Sequence, residues 1–151
     1  MNKVMRKTVL LVLLLLPVAM TANINLKTKF SDEELVQILK DDGYSAVKII
    51  KNQVIRIRVN GRTFLLINYK DGDLQLHYAA SGVSISYKDI NKWNSDRRLS
   101  RAYLDSDKDP VLESDLMANA GLTSKHVTEF FRVFRMSVKK YVSFLQTHDK
   151  S

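Results

Sequence analysis

The sequence predicts an α+β domain, one antiparallel β-sheet with helices packed on it, in the order helix, four strands, helix, two strands, helix. Three observations carry this. Apolar residues alternate with polar ones from Ile55 to Val59 and again from Leu74 to Tyr78, the period of half-buried strands. Asn60-Gly61 and Asp71-Gly72 bound these segments with residues that tolerate positive φ in tight turns. Near the end, Val127, Phe130, Phe131, Phe134, Val138, Tyr141 and Leu145 recur at spacings of three and four. That spacing draws a stripe about 100° wide, as expected of a helix lying on a sheet.

Each element has its own signal. Ser31 followed by Glu34 is a capping box, and Asp32, Glu33 and Glu34 favour the positive end of a helix over about 32–41. Leu35, Ile38 and Leu39 give that helix its apolar face, and Gly43 stops it. Ala46–Ile50, Ile55–Val59, Thr63–Tyr69 and Leu74–Tyr78 form a four-stranded antiparallel meander. Ser86 and Asp89 open a short helix with Tyr87, Ile90 and Trp93 on one side. Arg101–Asp105 and Val111–Met117 read as two strands around an acidic turn, Gly121 closes that unit, and Thr123 caps the last helix.

The first 22 residues read as a secretory signal peptide. Lys3, Arg6 and Lys7 precede the apolar run Val9–Leu16, and Pro17 and small residues at Ala19 and Ala22 follow. The run is too short to span a bilayer, which takes about 20 apolar residues. Cleavage is expected after Ala22 or Ala19, with export to the periplasm or, alternatively, the extracellular medium. The organisation expected is therefore signal peptide 1–22, polar leader 23–30, a single domain over 31–146 and a tail at 147–151. Of 151 residues with formal charge +8, the signal takes three basic residues and no acidic one. The remainder holds 21 basic against 16 acidic residues, a charge of +5. The absence of cysteine excludes disulfides, thiol chemistry and Cys-based metal sites, so an exported domain of this size must rest on its own core.

No constellation points to catalysis, a cofactor or a metal. Asp105-x-Asp107-x-Asp109 imitates half a calcium loop, but Pro110 and Leu116 stand where an EF-hand needs glycine and glutamate. A hairpin turn is the reading favoured, with weak Ca²⁺ binding as the minority alternative. His77, His126 and His148 are far apart and read as surface residues, His148 in the tail. No Gly-x-Ser-x-Gly elbow or phosphate loop is present. Glu113 and Asp115 share one strand face, read as exposed; a hydrolase using them or a histidine is a remote alternative.

Two features of the last helix suggest contact with partners. Arg132, Arg135 and Lys139 fall on one ridge beside the apolar stripe, a candidate contact for anionic envelope components. Nucleic acid is not expected, because the Phe residues sit on the core stripe rather than among the charges. Val133, Met136 and Phe144 lie away from that stripe and make the helix apolar on a second side, a candidate face for a homodimer or a client protein.

One block resembles a known family. Ile90-Asn91-Lys92-Trp93-Asn94, the pair Arg97-Arg98, Arg101–Asp105 and Asp107-x-Asp109-Pro110-Val111-Leu112-Glu113 are similar, in order, to the YbjN family, described as sensory transduction regulators of bacteria. The likeness extends over about 29–145. It implies an α+β fold similar to type III secretion chaperones, which are small, non-enzymatic and often dimeric. It carries no catalytic residue, and the exported start departs from the family's familiar cytoplasmic members. The expectation is an exported, non-enzymatic protein-interaction module, chaperone-like or regulatory in role.

Overall fold

The computed structural model describes residues 25–150, so the signal peptide expected over 1–22 lies outside the described residues. Helix α1 (Asp32–Asp41) is followed by β1 (Val47–Lys51), β2 (Val54–Val59), β3 (Arg62–Asn68) and β4 (Leu74–Ala79). Then come α2 (Tyr87–Asp96), β5 (Arg101–Leu104), β6 (Pro110–Leu116) and α3 (Ser124–His148). All strand pairs are antiparallel, in the order β1-β2-β3-β4-β6-β5. The meander and the later hairpin therefore belong to one sheet, joined where β6 returns beside β4.

The chain folds this way because its alternation is consistent from strand to strand. Val47, Ile57 and Phe64 are directly opposed, as are Ile55, Leu66 and Leu76, and all are buried. Leu112 extends the same face onto β6. Against it α1 lays Leu35 and Leu39, and α3 lays Phe131, Phe134, Val138, Tyr141 and Leu145. Phe131 meets Phe64 edge-to-face at 5.4 Å and Tyr44 at 4.9 Å. Each such side chain contributes roughly 1.5–3 kcal/mol through burial. The helix starts are fixed locally. Ser31 Oγ accepts the Glu34 N–H at 3.1 Å while Glu34 accepts the Ser31 N–H at 2.9 Å. Thr123 and His126 make the same reciprocal pair at the start of α3.

Four local expectations change. The leader is partly built into the fold: Lys27 and Leu122 exchange backbone hydrogen bonds of 2.9 and 2.8 Å, and Phe30 is buried. The supposed tail begins as helix, because the period of α3 continues through His148. Beyond it, the Ser84 N–H donates to the Asp149 carboxylate at 3.0 Å and the Lys150 N–H to the Ser84 carbonyl at 2.9 Å. Tyr87 does not share the buried side of Ile90 and Trp93; it is 72% exposed, six positions and about 120° around the helix from Trp93. Glu113 faces away from the helices but is itself buried rather than exposed, for reasons that lie in its neighbours.

Candidate functional site

Strand alternation puts Lys48, Arg56, Leu65, His77, Glu113 and Arg101 in one row across the face of the sheet opposite the helices. Within it, Glu113 is only 6% exposed. An ionised carboxylate tolerates that only with strong partners. Arg101 Nη2 donates to one carboxylate oxygen at 2.6 Å and the Tyr103 hydroxyl to the other at 2.7 Å. Both partners come from β5, directly and diagonally opposite. Burial, and then the bond to Glu113, push the Tyr103 phenol up to about 12.

This has a testable sign. The folded protein holds the Tyr103 proton at pH values where the unfolded chain has lost it, so stability falls as pH rises from about 10 to about 12. Chemical denaturation along that alkaline window should show a steeper loss in the parent protein than in Tyr103→Phe.

Both oxygens of the Glu113 carboxylate are thus taken up by neighbours on β5. A groove of about 500 Å³ between β6 and α3 is lined by Glu113, Asp115 and His126, the residues a hydrolase would use. Yet they do not converge. The alternation that turns Ser114 and Leu116 toward α3 turns Glu113 and Asp115 to the opposite face, where Asp115 accepts from Gln75 at 2.8 Å. His126 Nδ1 is occupied with the Thr123 N–H at 3.0 Å. Among the described residues no group of three or more His, Asp or Glu side chains is placed to hold a metal ion. The Asp105 turn satisfies itself: the Asp105 carboxylate accepts the backbone N–H groups of Asp107 and Asp109 at 3.0 and 2.9 Å.

The residues singled out on α3 separate into three environments. Arg132 is paired with Glu129 through two hydrogen bonds of 2.7 and 2.5 Å, and its other nitrogen lies 3.2 Å from the Met136 sulfur. Arg135 turns the other way, donating to the Tyr44 hydroxyl at 2.8 Å with its guanidinium over the Tyr44 ring. Lys139, Met136 and Phe144 line a groove of about 590 Å³ with Arg97, Lys140 and His148. Phe144 is partly covered, 5.4 Å from the Trp93 ring and stacked on His148 at 4.1 Å. Thus the second apolar side of α3 is shared between α2, which takes Phe144, and solvent, which leaves Met136 51% exposed.

A middle groove of about 380 Å³, between Trp93 and α3, shares Leu99, Ser100 and Val133 with the first groove and Arg97, Met136 and Lys140 with the third. The three form a continuous channel along the side of α3. Sequence reading missed its opposite wall, Leu99 and Ser100. The available signal was a single leucine inside the polar stretch Asn94–Ser100.

The sequence model of the YbjN family, described as "Putative bacterial sensory transduction regulator", matches residues 31–147. The chain belongs to the YbjN family. No curated protein and no solved structure matches it.

The block that carries the YbjN likeness has physical work in this fold. Trp93 fills the space between α2 and α3, with its ring 4.8 Å from Tyr141, and the Arg97 guanidinium lies 5.5 Å from the Trp93 ring. Asn94 reaches the backbone of the edge strand β5. Its Oδ1 accepts the Ala102 N–H at 2.8 Å and its Nδ2 donates to the Ala102 carbonyl at 3.0 Å. Both bonds lie on the outer edge of β5, so a side chain stands where another strand would pair. No helix among the described residues is long and apolar enough to cross a membrane.

Proposed function

We propose that this YbjN-family chain is a non-enzymatic protein-interaction module, exported to the periplasm, which docks a partner protein on the outer side of α3. The observation that carries this is the pair of large apolar residues flanking the channel, Met136 on α3 and Leu99 opposite, 51% and 68% exposed. Unmatched apolar side chains grouped along a groove are what a binding surface presents before its partner covers them. Arg97, Lys139 and Lys140 stand around the same groove, which favours a partner with acidic residues bordering its apolar contact. Membership of a regulator family and the self-satisfied Glu113 and Asp105 clusters support the non-enzymatic part. Export rests on the basic start and apolar run of residues 3–16. A basic ridge binding envelope polymers is less favoured, because Glu129 and Tyr44 occupy two of its three cations.

A photoreactive amino acid placed at Met136, or at Arg58 on the far face of the sheet, tests the docking surface in the producing cell. A discrete adduct from position 136, lost with Leu99→Glu and not formed from position 58, is the expected result. Adducts from position 58 alone would move the surface to the sheet, and a self-adduct from 136 would make the partner a second copy. Deleting residues 1–22 should retain the protein in the cytoplasm.

A further inference from the structure

The inner part of the channel shares Leu99 and Met136 with the docking surface but has a chemistry of its own. On one side of Leu99, the groove against α3 is walled by Leu116, Phe130 and Val133 and encloses about 500 Å³. On the other side, the pocket of about 380 Å³ is lined by Arg97, Arg98, Arg132 and Lys140 and by one carboxylate, Asp96, which is paired with Lys92. Both volumes lie in the range of roughly 300–1,000 Å³ typical of small-molecule sites. Arg132 is answered by Glu129, but Arg97, Arg98 and Lys140 form no ion pair among the described residues.

Two further observations point to a ligand in the basic pocket. Trp93 is 1% exposed, yet its indole Nε1 has no hydrogen-bond partner among the described residues, and the Ser100 Oγ is likewise buried without one. Both residues line this pocket. A buried donor left unmade costs about 1–3 kcal/mol, so two of them mark the wall of this pocket as under-satisfied. Between the compartments stands Leu99, 68% exposed and at φ +65°. A bulky side chain is held in that left-handed region only when its surroundings insist, and such strain collects at binding sites. Here the Ser114 hydroxyl pins the Leu99 carbonyl at 2.8 Å.

We propose that the two compartments form one site for a single-chain amphiphile. Its oxyanion head lies in the Trp93 pocket against Arg97, Arg98 and Lys140, and its apolar tail lies over Leu99 in the groove beside Phe130 and Val133. The head is a carboxylate, as in a fatty acid, or a phosphate monoester, and both complement the unpaired Arg97, Arg98 and Lys140. Binding covers Leu99 and gives a family of sensory regulators a small-molecule input on the same helix that presents Met136.

The chain contains one tryptophan, so its fluorescence reports on the head pocket directly. Dodecanoate, dodecyl phosphate, dodecyltrimethylammonium and inorganic phosphate should be titrated separately into the protein below their micelle concentrations. Saturable change is expected with one or both anionic amphiphiles, and which of them binds identifies the head. Affinity for the cationic amphiphile should be weaker by about tenfold or more. It should rise about fourfold for each methylene added to the preferred anion. Arg98→Glu with Lys140→Glu should weaken binding by about tenfold or more, while Arg58→Glu on the other face leaves it unchanged, both variants being folded by circular dichroism. Equal affinity for anionic and cationic chains would overturn the proposal, as would inorganic phosphate binding as tightly as dodecyl phosphate, or no saturable response to any probe. Adducts from position 136 are read separately, so failure of this site leaves the docking surface standing, and the reverse.

Discussion

Trp93→Ala should lower stability by roughly 3–5 kcal/mol, the cost of removing a large aromatic side chain from a core that cannot close behind it. The space would be hard to refill. Trp93 is wedged between Tyr141 and Phe144, at 4.8 and 5.4 Å, and Phe144 in turn carries His148. The loss would therefore pass from α2 into the last turns of α3. Against a total of about 5–15 kcal/mol, this leaves a marginal domain. Urea denaturation followed by circular dichroism measures it, since the substitution removes the only tryptophan. A lower midpoint with an unchanged slope is the expected signature. Trp93→Phe should recover more than about half of the loss, because the indole nitrogen has no partner to forfeit among the described residues. That variant keeps an aromatic ring against Tyr141 and Phe144 and gives up the donor with part of the indole volume.

The second large effect is expected at Gly72, in the turn between β3 and β4. Its φ is +104°, and a Cβ built there would sit 2.0 Å from the Thr28 carbonyl oxygen. The obstacle is backbone, which cannot swing aside as a side chain can. The turn is also closed by the Gly72 N–H on the Tyr69 carbonyl at 3.0 Å and the Tyr69 N–H on the Asp73 carbonyl at 2.9 Å. Gly72→Ala must therefore either distort this turn or lift the segment before α1, with its Lys27–Leu122 pairing and buried Phe30. A loss of Tm of about 10 °C or more is expected for a domain of this size. Gly61 is the internal control. It too has positive φ, at +75°, but a Cβ there meets nothing within 4 Å. Gly61→Ala should cost only the conformational strain, about 1–2 kcal/mol. Equal losses at the two positions would mean that the contact with Thr28 contributes nothing.

The contrast between these glycines shows what could be read from the sequence. Asn60-Gly61 and Asp71-Gly72 both announce turns, because turn chemistry is local. That one turn is open and the other lies under residue 28 depends on a distant segment meeting it. The same division runs through the rest of the fold. Caps at Ser31, Ser86 and Thr123, strand periods and the stripe of α3 are legible because their causes lie within four residues. Alternation placed Glu113 on the correct face, but its burial depends on Arg101 and Tyr103 arriving from the neighbouring strand. Arg132 and Arg135 share a ridge on a helical wheel, yet Arg135 is drawn off by Tyr44, 91 positions away. The second apolar side of α3 was legible in Val133, Met136 and Phe144. Its opposite wall was not, because Leu99 and Ser100 reach the channel through a loop without period.

Asn94 sets a limit on how copies of this protein can combine. A sheet with two bare edges can add strands at both ends and grow without limit, as a linear polymer grows from monomers with two reactive groups. Here one end is already terminated by an amide side chain held on Ala102. The other, β1, presents Lys48 and Lys51 and an irregular register after Ile49. Any association by strand addition must use β1 and, once two copies have joined there, offers no further growing end. In polymer terms the sheet has a functionality of one: by strand addition it can couple, but it cannot form a chain.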